Sequence, residues 1–228
     1  MKKFLGFTLA EVLITLGIIG VVAAMTMPVL VQNYKKQTTV NRLKSTYSIL
    51  YNAIRASEND NGNLSEWDYS LGGQEFFEKY LQNYLKVVKT YSFQELDNLL
   101  KYKWLDSDKI VAEFNSEYEQ SDFGRTYVLA NGSMITLKYN VLFIDINGLQ
   151  EPNRMGKDLF LFQIIKPYGL VPKGALGTIT DDENYQQTRE YMLSCPKHSR
   201  ACKSGSVGYF CGELIMLDGW KIAPDYPW

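Results

Sequence analysis

The sequence predicts an α+β chain in which one long N-terminal helix lies against an antiparallel sheet, and three observations carry that expectation. Phe7 to Val31 is an apolar run holding a single ionisable side chain, Glu11. The chain then turns amphipathic at helical spacing as far as about Glu58. From Thr126 onward, short β-rich segments alternate with turn residues. With 228 residues and 46% apolar side chains there is room for one packed domain of ordinary size beside the special N-terminal segment. A formal net charge of -1 gives no overall attraction for nucleic acid, which is therefore not expected as a partner.

The first element is long enough to span a bilayer. Its 25 residues rise ~38 Å as a helix, against a hydrocarbon core of ~30 Å. Lys2 and Lys3 ahead of it place the N-terminus on the cytoplasmic side and send the rest of the chain across the membrane. A plain signal anchor would satisfy this pattern. So would a secretory signal peptide cut after Val22-Ala23-Ala24, leaving Met25 first. Neither accounts for Glu11, since a carboxylate inside a membrane helix costs up to roughly 3 kcal/mol at its centre and calls for a partner.

Gly6-Phe7-Thr8-Leu9-Ala10-Glu11-Val12-Leu13-Ile14 resembles the cleavage and methylation motif of type IV pilins and type II secretion pseudopilins. The resemblance implies cleavage between Gly6 and Phe7 by a membrane prepilin peptidase, and N-methylation of Phe7. It also implies a role for Glu11 in assembly, pairing with the Phe7 amine of a neighbouring subunit. A free α-amine titrates near ~8, so it is cationic at neutral pH and able to pair. Three segments follow from this reading: a leader (1–6), a membrane and assembly helix (7–31), and a pilin-like head with the outer half of the helix (32–228). Pro28 is expected to kink or end the helix, and Gly17 and Gly20 to let helices approach closely.

Beyond the membrane, Val40, Leu43, Tyr47, Leu50, Tyr51 and Ile54 form an apolar stripe that Asn59-Asp60-Asn61-Gly62 terminates. Two further helical stretches are expected between Gln74 and Leu105: one from Phe76 to Val88, the other from Phe93 to Trp104. Thr126–Ala130 and Met134–Tyr139 flank Asn131-Gly132, a strong hairpin signal. Val141–Ile146, Leu159–Ile165 and Tyr209–Leu217 read as three more strands, with a helix from Asp181 to about Leu193 ahead of the last.

Little in the chain suggests catalysis. His198 is the only histidine and sits in a polar loop, which removes most hydrolytic mechanisms. Cys195, Cys202 and Cys211 lie at C-x6-C-x8-C, without the short knuckle of a structural zinc site, so a disulfide in an oxidising compartment is expected. Three pairings are open. Cys195 with Cys211 is preferred because it would tie a helix end to the last strand. Asp145, Asn147, Glu151, Asn153 and Asp158 alternate around Gly148 like the start of a calcium loop, but the closing position of an EF-hand is Gly156 and the same residues populate plain turns. Lys197, His198, Arg200 and Lys203 form a basic patch that reads best as a solvated loop face, and Trp220 and Trp228 as packed aromatics near the C-terminus.

The sequence thus points to a structural subunit with no enzymatic activity and no cofactor beyond that calcium loop. By the resemblance its partners are copies of itself or other pilin-like subunits, the prepilin peptidase, an inner-membrane assembly platform and membrane lipid. It would begin as a single-pass inner-membrane protein with an exported head and end in an extracytoplasmic filament. The rival is a membrane-anchored or secreted binding domain that never polymerises.

Overall fold

A computed structural model describes residues 8–92, 95–96, 105–106, 109–110, 123–180, 182–195 and 200–228. The chain divides into two compact units, one ending at Thr38 and the other running from Thr39 to Trp228. Helix α1 (Leu9–Asn61) is continuous through Pro28, so the proline does not end it. In the first unit the described residues from Leu9 on are helix and no side chain is buried.

In the second unit α1 buries Val40, Leu43, Thr46, Leu50, Ala53, Ile54 and Ser57, at spacings of three and four. The stripe is rotated slightly from the expected one: Tyr51 is 42% exposed, and small Thr46, Ala53 and Ser57 take inward places instead. Val40, Leu43, Leu50 and Ile54 share one core with Ile135, Leu137, Phe160 and Phe162 of the sheet. Tyr47 rings against Phe162 and Trp220 at 5.9 and 5.4 Å, which places Trp220 on the core as expected. Asn131 donates from Nδ2 to Thr46 Oγ1 at 3.0 Å, tying helix to hairpin. After Asn61 the chain turns at Gly62, whose φ of 78° is the left-handed conformation that ends helices.

The sheet is antiparallel throughout. Its six strands are β1 (Val87–Tyr91), β4 (Phe123–Leu129), β5 (Met134–Lys138), β6 (Val141–Asp145), β7 (Leu159–Ile165) and β8 (Gly169–Pro172), hydrogen-bonded in that order. β2 (Leu105–Asp106) and β3 (Lys109–Ile110) form a separate two-stranded pair. The Asn-Gly signal is borne out as a three-residue loop: Leu129 N donates to Ser133 O at 2.8 Å, and Gly132 has φ 85°. Helix α2 (Gly73–Tyr80) inserts Phe76, Phe77 and Tyr80 into the core. It comes so close to the sheet that a Cβ on Gly73 would stand 2.1 Å from Leu137 O.

Three expectations are corrected. Val88 lies on edge strand β1 and is 60% exposed, because the Gly73 helix stops at Tyr80 and extended chain follows. Residues Tyr209–Leu217 do not form a strand. They contain helix α4 (Cys211–Leu217), which sets Cys211, Leu214 and Ile215 inward one turn apart. The helix before the cysteine loop is only Arg189–Ser194 (α3), capped by the Thr188 hydroxyl accepting from Tyr191 N. The stretch Phe93–Trp104 lies outside the described residues except Glu95 and Leu96. Ser92 opens it by donating from N and Oγ to Glu95 Oε2 at 2.8 and 2.9 Å.

Candidate functional site

The N-terminal helix presents an apolar surface with nothing folded against it. From Leu9 to Val31 every residue but Ala23 is exposed, and the exposed side chains include Leu13, Ile14, Leu16, Ile18 and Ile19. Among the described residues this is the one helix long and apolar enough to cross a membrane. Between Leu9 and Val31 the only charged group is Glu11, whose geometry is local and specific. Thr8 N and Thr8 Oγ1 both donate to Glu11 Oε2 at 2.8 Å, and Glu11 N donates back to Thr8 Oγ1 at 3.3 Å. This reciprocal capping box satisfies backbone donors at the first turn and fixes the carboxylate at the helix start. Threonine followed three residues later by glutamate is legible in the sequence, but the sequence reading assigned Glu11 only its role between subunits. Gly6 and Phe7, the expected cleavage and methylation positions, lie outside the described residues.

The Asp145–Asp158 loop brings its predicted residues together around Asp158. Asn153 N and Arg154 N donate to Asp158 Oδ2 and Oδ1 at 2.8 and 2.6 Å, and Asn147 Nδ2 reaches Oδ2 at 3.3 Å. Asn147 Nδ2 also donates to Gln150 O at 2.9 Å, while Asn147 N donates to Asp145 Oδ1 at 3.1 Å. Glu151 is exposed. Burial pushes the Asp158 carboxyl above its ordinary range, opposed by the backbone donors of Arg154 and Asn153 and the Asn147 amide. Asn147 Oδ1 and Asn153 Oδ1 are buried without a hydrogen-bond partner. Among the described residues no three His, Cys, Asp or Glu side chains are placed to hold a metal ion.

The cysteine region corrects the preferred pairing: Cys202 bonds Cys211, and Cys195 is buried outside the disulfide. Phe210 N donates to Arg200 O at 3.1 Å, and Cys202 N donates to Met192 O at 2.7 Å. These bonds carry the returning loop past the start of α4, so Cys202, not the α3 end at Cys195, meets Cys211. Not legible in the sequence is a clasp in which Arg189 bridges Asp218 (Nε to Oδ1, 2.6 Å) and Asp225 (Nη1 to Oδ2, 2.7 Å). It ties α3 to the end of α4 and to the C-terminal segment. His198 and Lys197 lie outside the described residues, and Lys203 is exposed.

Comparison with known families yields two matches that together cover nearly the whole chain. Residues 1–27 match the prokaryotic N-terminal methylation motif, the signature of type IV pilins and pseudopilins. Residues 29–228 match a family described as a family of unknown function (DUF6613). No curated protein and no solved structure matches the chain.

Proposed function

Since the chain belongs to that family of unknown function and opens with the pilin-type methylation motif, we propose that it is a prepilin-like structural subunit that polymerises through its N-terminal helix into a type IV pilus or a secretion pseudopilus. The observation that carries this reading is the conjunction of the motif with a capped, exposed apolar helical stretch that holds one oriented carboxylate. Prepilin peptidase cuts between Gly6 and Phe7 and methylates Phe7, and the assembly platform of the inner membrane then draws the subunit into the filament. Oε2 of Glu11 is held by Thr8, so Oε1 is the atom that meets the cationic amine of Phe7 on the neighbouring subunit. In lipid each charge alone is unfavourable, and pairing removes both penalties in one contact. The subunit needs no catalysis of its own.

Intact mass and N-terminal sequencing of the protein from native membranes, with and without active prepilin peptidase, test this reading. The expected product starts at N-methylated Phe7 and is absent without the peptidase. A start at Met25, or an uncut Met1, would overturn it in favour of a secreted or anchored binding domain.

For the Asp145–Asp158 loop we infer a turn closed by its own hydrogen bonds, because both oxygens of Asp158 already face N–H donors. Calcium is the competing occupant, for which the oxygens of Asn147 and Asn153 would supply ligands. A melting temperature that is equal in calcium and in chelator supports the turn. A calcium-dependent rise that disappears in Asp158→Asn would establish the ion instead.

A further inference from the structure

A cavity of about 360 Å³ lies in the second unit between the turn that ends at Asp158, the cysteine loop and the C-terminal residues. Its volume falls within the usual range of small-ligand pockets, ~300–1,000 Å³. Three cationic side chains line it, Arg154, Lys157 and Lys203, and among the described lining residues no side chain is acidic. On a chain whose formal net charge is -1, that concentration of one sign stands against the average. Ser206 adds a hydroxyl, and Tyr226 and Trp228 add aromatic surface.

The cations stand on stiff supports. Arg154 N is bonded to Asp158 Oδ1, and the Lys157 carbonyl accepts from Thr39 Oγ1 at 3.3 Å. Lys203 directly follows the half-cystine Cys202. The floor is equally fixed: the Tyr226 hydroxyl donates to Gly156 O, and a Cβ on Gly156 would lie 2.7 Å from Cys211 Sγ. Burial holds the Tyr226 phenol well above its ordinary range, so it brings no negative charge to the site.

A tetrahedral dianion suits three cations and a hydroxyl that line one cavity, since charge-assisted bonds to phosphate are short and strong. We propose that this cavity binds a phosphate group, carried either by a small soluble phosphomonoester or by a lipid headgroup, between Lys157, Lys203 and Arg154, with Trp228 flanking its carbon substituent. The lipid source is included because Thr39, which holds the Lys157 carbonyl, follows the apolar run by only eight residues of sequence. The proposal stands independently of filament assembly.

The test titrates the full chain in non-ionic detergent with glycerol 3-phosphate, and the full chain in nanodiscs of phosphatidylcholine with or without phosphatidylglycerol. Binding is read by phosphorus NMR and calorimetry. Saturable binding in either arm supports the site, and the arm in which it appears identifies the source. It is expected to weaken by roughly tenfold or more in Lys157→Ala/Lys203→Ala and to persist in Lys157→Arg/Lys203→Arg. Lys221, exposed and outside the cavity, serves as the control. Absence of saturation in both arms, or an equal loss in Lys221→Ala, would overturn the proposal. An unchanged melting temperature in the double alanine variant separates lost binding from lost folding.

Discussion

The two parts of helix α1 obey the same backbone rules and reach opposite ends. Up to Thr38 its side chains are exposed or partly so. From Val40 to Ser57 seven residues are buried against a sheet and its neighbours. Apolar surface left in water is unfavourable at about 25 cal/mol per Å², so the first part is incomplete as it stands and takes its stability from what surrounds it, lipid or other copies. The second part has its partner within the same chain. One stretch of helix therefore offers the surface through which the proposed filament would assemble, and the next is a structural element of the head, with Glu11 marking the first and the Leu43–Leu50–Ile54 stripe the second.

The sharpest way to break this comparison is to mutate each part and measure both properties. Glu11→Ala removes the one oriented carboxylate and is expected to lower filament yield by roughly tenfold or more, with no change in the melting of the head. Leu50→Ala does the reverse. Leu50 is fully buried, and its truncation is expected to cost about 2–5 kcal/mol. That lowers the melting temperature by roughly 5–15 °C in a head of this size. Filament yield would then fall only as far as unfolding removes subunits. Equal loss of head stability in both variants, followed by differential scanning calorimetry beside electron microscopy of filaments, would erase the distinction.

A smaller effect probes the cysteine loop, where the covalent tie lies wholly in the second part. Closing a loop of about ten residues is worth roughly 3 kcal/mol by chain entropy. Cys211→Ser should lose about that amount, whereas Cys195→Ser leaves the disulfide intact and should lose less. Peptide mapping without reduction should recover Cys202 joined to Cys211, with Cys195 alkylated only after unfolding. Recovery of Cys195 joined to Cys211 would restore the pairing preferred from the expected helix end and last strand.

These regions also differ in how openly the sequence announces them. Glu11 is legible because a charge in an apolar run has no bland explanation, and strands β4 to β7 because alternation and Asn131-Gly132 fix both period and turn. The misreadings share one physical origin. Tyr209–Leu217 is a short apolar run, and such a run looks alike as a buried strand and as a buried helix. Only the close contact of Gly212 with Phe162 and Pro172, a tertiary fact, shows a helix lying on the sheet. Strand β1 was hidden because Tyr84, Leu85 and Val88 mimic helical spacing just after a real helix. The disulfide followed the wrong secondary structure: once Cys211 starts a helix, the bond partner is decided by where Arg200–Cys202 returns. The cavity could not be read at all, since its walls come from three segments that meet only in the fold.

The smallest predicted effect concerns Glu213, a carboxylate buried in the head with Gln187 Nε2 donating to its Oε1 at 2.7 Å. Burial raises its pKa above the ordinary carboxylate value, and the Gln187 bond only partly opposes the rise. The folded state therefore binds this proton more tightly than the unfolded chain does. The stabilisation it brings is full below the unfolded pKa and is lost as pH rises through the raised folded one. At neutral pH the wild-type head carries the penalty. Asp158, whose carboxyl is likewise raised by burial, adds a contribution of the same sign. Glu213→Gln keeps an oxygen to accept from Gln187 and removes the charge, so it should stabilise the head at neutral pH by about 1 kcal/mol or less. The gain should shrink as the wild type is acidified through the folded pKa of Glu213, while Asp158 leaves a residual slope in both proteins. Urea melts of wild type and variant across that range measure it. A variant destabilised at neutral pH would mean that the charge of Glu213 supports the fold.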